Sequence, residues 1–154
     1  MSLQRLSHRF SILIAALWWG GITAISFLVV PFLFVQLGNP AVAGPLAARL
    51  FAWQCGASVL LGVLLLLLLR RRLGVGAPSA ADGLANMSSA VGTMGFVLLA
   101  MLLALLQQFG VAQQIVSARA TGGDLRLWHS LGSAMVLGQW LCAGAVLWRL
   151  SRRD

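Results

Sequence analysis

Long intervals without a charge constrain this chain more than any other feature of it. No Asp, Glu, Lys or Arg stands between Arg9 and Arg49, between Arg49 and Arg70, between Asp82 and Arg119, or between Arg126 and Arg149. About 20 apolar residues at 1.5 Å rise cross the roughly 30 Å hydrocarbon core of a bilayer. Each interval is long enough, which predicts helices near 10–36, 47–69, 88–112 and 127–148. An Arg at the centre of such a helix would cost about 2.5–3.5 kcal/mol on the insertion scale, and every Arg avoids that position.

Composition agrees with the intervals. Charged residues make up 9% of the 154 and hydrophobic ones 60%, with mean hydropathy +0.91. A soluble domain carries about a quarter charged residues, so an ordinary globular domain, a coiled coil and a disordered chain are excluded. Two Cys are too few for a secreted disulfide scaffold. The expected fold is all-α: one transmembrane domain over residues 1–154, forming a four-helix antiparallel bundle.

The net charge of +8 comes from Arg alone, and in this setting its partner is the lipid bilayer, with no nucleic acid implied. Arg5, Arg9, Arg70, Arg71, Arg72, Arg149, Arg152 and Arg153 fall on one side if four helices alternate. Arg49, Arg119 and Arg126 fall on the other. The positive-inside rule then places both termini in the cytoplasm. The first apolar stretch, 10–37, exceeds the 7–15 residues of a signal-peptide core, so it is expected to remain as a helix. Gly, Ala and Ser dominate residues 73–87, which read as a mobile cytoplasmic loop. Pro45 suits the first turn of the second helix.

Small residues recur every fourth position. Ala16, Gly20 and Ala24 do so on helix 1, Ser88 and Gly92 with Ala100 and Ala104 on helix 3, and Ser130, Ala134, Gly138 and Cys142 on helix 4. Such spacing puts them on one face, where backbones approach closely in lipid. These faces serve packing within the bundle, a smooth substrate passage, or docking of another membrane protein or a second copy.

Groups able to carry chemistry are few. Lys, Glu and Tyr are absent, and the three Asp lie outside the spans, so no carboxylate inside the membrane can relay protons. His8 and His129 stand at opposite ends of the bundle, roughly 25–30 Å apart, so one haem iron cannot take both. Gln107, Gln108, Gln113 and Gln114 cluster at the outer end of helix 3, level with Gln36, Gln54, Arg49, Arg126 and His129. Pro31, in the outer third of helix 1, should kink it and loosen its backbone hydrogen bonding. The set predicts a polar vestibule open to the outer side, with His129, Gln107, Gln108, Gln54 and Arg126 as candidate ligand-binding residues. The same amides could simply meet water and headgroups. Gln139, mid-span, is expected to hydrogen-bond across helices.

Several motifs resemble a known family. Trp18-Trp19-Gly20-Gly21, Val30-Pro31-Phe32-Leu33-Phe34, Ala43-Gly44, Arg49-Leu50-Phe51, Leu127-Trp128-His129-Ser130 and Gln139-Trp140-Leu141 are similar in order and spacing to the bacterial transmembrane protein 205-like family, also called domain of unknown function 4149. The resemblance implies a small four-helix protein of the bacterial inner membrane, with no established activity. A eukaryotic relative's association with platinum-drug resistance points toward metal handling. A more distant resemblance, in the first helix, is to the copper-resistance D-like and protoporphyrinogen-oxidase-like membrane proteins, whose helical His residues carry haem. This chain departs from that pattern in its separated His pair.

Three functions follow as expectations. The first is a non-enzymatic protein that binds a small ligand or metal at the outer vestibule, or assists its transport, with no resident cofactor. The second is a haem-linked redox protein with His129 as one axial ligand. The third is a structural subunit docked into a larger membrane complex.

Overall fold

The computed structural model describes residues 3–73 and 80–152, with side chains described over 5–71, 87–118 and 121–152. Its elements are all helical among those residues: α1 (Leu3–Thr23), a π-helical segment (Ala24–Val29), α2 (Val30–Leu37), α3 (Pro40–Leu73), α4 (Ala80–Leu106), a second π segment (Gln107–Val111), α5 (Ala112–Thr121) and α6 (Leu125–Ser151). They compose four helices long and apolar enough to cross a membrane: span 1 (Arg5–Leu37), span 2 (Pro40–Arg71), span 3 (Met87–Ala118) and span 4 (Leu125–Ser151). The chain is an all-α membrane protein built as a four-helix bundle.

Local chemistry sets the ends of these helices, and they extend beyond the expected limits. Gly38 and Gly122 hold φ of 59° and 75°, the left-handed conformation that closes a helix and that a Cβ would strain. Asn39 then caps α3: its Oδ1 accepts from the Ala41 N–H at 2.9 Å, with Pro40 at the first helical position. Span 2 therefore begins at Pro40, not near 47, and Pro45 lies inside the helix instead of in its first turn. Asp124 caps α6 by accepting from the Leu127 N–H at 3.0 Å. Helix α4 starts at Ala80, inside the expected loop, where Ala is the strongest helix former. The rest of that expected loop, 74–79, lies outside the described residues.

Tight turns after Leu37 and Thr121 pair spans 1 and 2, and spans 3 and 4, as antiparallel hairpins. The hairpins pack so that each span touches two neighbours, in the order 1–2–3–4–1. We call the half of the bundle nearer Leu3 and Ser151 proximal, and the half nearer the two tight turns distal. In the proximal half the axis is filled by Ala15, Trp18, Leu65, Val97, Ala143 and Leu150, all buried. Lipid is as apolar as these side chains, so burial alone does not drive the helices together; close packing and interhelical hydrogen bonds must.

Each of the four seams carries such a bond. Trp18 Nε1 donates to Ser58 Oγ at 3.0 Å between spans 1 and 2. Cys55 Sγ donates to the Ala104 carbonyl at 3.5 Å between spans 2 and 3. Arg149 Nε donates to Thr93 Oγ1 at 3.2 Å between spans 4 and 3, and Trp140 Nε1 to Thr23 Oγ1 at 2.9 Å between spans 4 and 1.

The small residues meet different fates. A Cβ on Gly138 would sit 3.0 Å from Leu103 Cδ1, so spans 3 and 4 approach closely there. A Cβ on Gly92 would sit 2.9 Å from Arg149 Nη2. Gly92 thus makes room for a guanidinium that lies 5.8 Å from the Phe96 ring centre. Ala24 is half-buried in the first π segment, and Ala134 is exposed. Gly20 is exposed too, and a Cβ added there would meet nothing within 4 Å.

Candidate functional site

The distal half is organised differently. Helix α2 packs chiefly on α3, and α5 chiefly on α6, so the two hairpins part. Between them lies a cavity of about 850 Å³, bounded by all four spans. Ligand sites commonly fall in the range of about 300–1,000 Å³.

Both π segments sit on this wall. The first precedes Pro31, whose ring nitrogen has no hydrogen to donate to the Phe27 carbonyl. A widened turn immediately before a missing donor is how a helix accommodates that loss. It sets Ser26 and Phe27 against the cavity. The second π segment contributes Gln107, Gln108 and Val111.

Most of the wall is apolar: Val30 and Phe34 from span 1, Phe51 from span 2, Ile115 from span 3 and Val136 from span 4. This qualifies the expected vestibule, whose polar groups are confined to a floor and a rim. Among the described residues, no Arg or Asp lines it.

The floor is a layer of amides at mid-bundle. Gln139 Nε2 donates to Gln107 Oε1, the cross-helix bond expected of a mid-span amide. Ser26 Oγ donates to Gln54 Oε1 at 3.2 Å. Gln54 is buried (4% exposed) and lines a small void beneath the main cavity with Gln107, Gln108 and Gln139. The side-chain amide of Gln108, half-buried, makes no hydrogen bond to any described residue. Each Gln side chain offers two donors and an acceptor oxygen. The Nε2 groups of Gln54 and Gln107 likewise donate to no described residue.

The rim carries His129, exposed at the start of α6, and Ser133, whose Oγ donates to the His129 carbonyl at 2.9 Å. Of the residues singled out in the sequence, Gln107, Gln108 and His129 line the cavity, and Gln54 sits one layer below. Arg126, in the first turn of α6, is exposed and is not part of the lining. Pro31 is exposed, displaced from the wall by the turn it follows. Ser26 and Ser133 join the site without having been marked by the sequence. Ser26 meets Gln54 only after folding, which no local spacing reveals, whereas Ser133 stands one helical turn after His129, a spacing the sequence does show.

Among the described residues no three His, Cys, Asp or Glu side chains stand together to hold a metal ion. His8 lies in α1, in the proximal half, and His129 in the distal half.

No curated protein and no solved structure matches the chain. A family model does match, under the description domain of unknown function (DUF4149). The fourth-span motifs at 127–130 and 139–141 lie beyond the matched region. That region, residues 13–124, takes in most of span 1, both spans that follow and the turn before the fourth, so the chain belongs to the DUF4149 family.

Proposed function

We propose that this is a bacterial inner-membrane protein, with both termini in the cytoplasm, that binds a small organic ligand in the distal cavity. Eight Arg at the proximal ends of the spans in sequence, against three at the distal ends, support the orientation. Under it the cavity faces the outer leaflet. The observation that carries the binding reading is Gln108: an amide within a membrane span, on the wall of a ligand-sized void, with no partner among the described residues. An amide held in a membrane span costs free energy until it finds a hydrogen-bond partner. The filled proximal axis favours binding over conduction, since Trp18, Leu65 and Val97 close the path below the amide floor. The donor set favours an organic ligand over a metal, because His129 is the lone imidazole among the described lining residues and no thiol or carboxylate there joins it.

The test is a native mass spectrum of protein extracted from bacterial membranes in mild detergent, followed by analysis of the released small molecules. Wild-type protein should carry a stoichiometric adduct that Ala112→Phe, which puts a ring into the cavity one turn from Gln108, lacks. The same adduct on both proteins would contradict the reading.

A further inference from the structure

We infer that the distal cavity takes an uncharged, lipid-soluble molecule whose head carries carbonyl acceptors and whose tail leaves between the two hairpins. This deepens the ligand-binding reading just given and rests on it.

Three observations select the class. First, fixed charge is missing. None of the described residues on the wall is an Arg or an Asp, and an ionic head taken out of water without a counter-charge would pay a desolvation penalty of several kcal/mol. Second, the wall has unspent amide donors. Gln107 Oε1 already accepts from Gln139, whereas the Nε2 groups of Gln107 and Gln108, both on the lining, can still donate. Two amide donors on the cavity wall suit a head with two acceptor oxygens. Third, the way in is lateral. The seams are tied at and below mid-bundle by Trp140 to Thr23 on one side and Cys55 to Ala104 on the other. Above those ties the principal packing of α2 is on α3 and that of α5 is on α6. Phe27 and Val116 are both cavity residues and exposed surface, so the wall continues onto the lipid-facing side. A ligand dissolved in the bilayer enters without crossing water.

Esters of a neutral glyceride and the ring carbonyls of a quinone both satisfy this chemistry, and separate probes distinguish them. The full-length protein in phosphatidylcholine nanodiscs would be titrated with dioctanoylglycerol, with decylubiquinone, with dodecyl phosphate and with dodecane. At least one carbonyl probe should bind at one per chain. Gln108→Leu should weaken it about tenfold, the size of one lost hydrogen bond, and Ala112→Phe should abolish it. Dodecyl phosphate and dodecane should bind at least tenfold more weakly. Which carbonyl probe binds tells glyceride from quinone. Equal or tighter binding of dodecyl phosphate or dodecane, lost in Ala112→Phe, would overturn the ligand class and leave the cavity as a binding site. Failure of every probe to bind, with the native adduct still present on wild-type protein and missing from Ala112→Phe, would also overturn the class alone. Binding of a carbonyl probe that Ala112→Phe leaves unchanged would overturn both.

Discussion

In the proximal half of the bundle the four spans meet along their axis around Ala15, Leu65, Val97 and Ala143, whereas in the distal half they separate into two hairpins around a void of about 850 Å³. The spans are apolar on both sides of this divide, so hydrophobicity cannot explain the difference. What differs is how the helices can touch. Proximally, Ala15, Ala100 and Ala143 let backbones approach while Trp18 and the Leu side chains fill the remaining space. Distally, Ala43 and Ala118 are buried outside the cavity lining, and the wall mixes small residues such as Ala47 and Ala112 with bulky ones such as Phe34 and Ile115 that hold the helices apart. The two π segments mark the boundary, and each turns polar side chains inward at the level where packing stops. In lipid, a half-bundle without close packing or cross-bonds has nothing to draw it shut.

The contrast can be broken or sharpened by substitution. Trp18→Ala removes a buried indole and its bond to Ser58 and should destabilise the protein by about 3 kcal/mol. Ile115→Ala, on the cavity wall, should cost less than about 0.5 kcal/mol, because little packs against that face. Reversible unfolding in mixed micelles measures both, and equal losses would erase the distinction. Gln139→Leu should cost about 1 kcal/mol, within the range of interhelical bonds in membranes, by leaving Gln107 Oε1 without its donor. Gly20→Ala has open space and gains helix propensity, so a monomer should be unchanged or more stable by up to about 1 kcal/mol. A loss of stability there would reveal a partner chain on that face. Gln108→Leu should move the unfolding free energy least, by under about 0.5 kcal/mol, since that amide bonds to no described residue. Its effect should appear in ligand binding instead.

The charge-free intervals identify all four spans, and the mid-span amide Gln139 announces a cross-helix bond that the structure contains. Boundaries are harder. Asn39-Pro40 reads as a loop, although the same pair, as cap and first helical residue, starts a helix. Pro31 signals loosened hydrogen bonding, but the π turn that answers it shifts which side chains face inward, which helical spacing does not encode. For the same reason the polar vestibule expected from Gln and His positions is an apolar cavity with a polar floor. Its walls depend on how far two hairpins part, a property of packing between residues distant in the chain. Arg126 stands three residues before His129, only about 60° away around the helix, yet it lies off the cavity lining; where the lining ends on that face is decided only by what the helix packs against.

The difference between the two halves is tested most directly by placing one large side chain in each. Ala100, buried on the proximal axis, and Ala112, on the cavity wall, would each be changed to Phe and the two proteins unfolded under identical micellar conditions. Overpacking a filled core costs about 1–3 kcal/mol or more, so Ala100→Phe should lose at least that amount or fail to fold. Ala112→Phe should match or exceed wild-type stability. A comparable loss in both proteins would mean that the distal half is packed like the proximal one and holds no ligand-sized void.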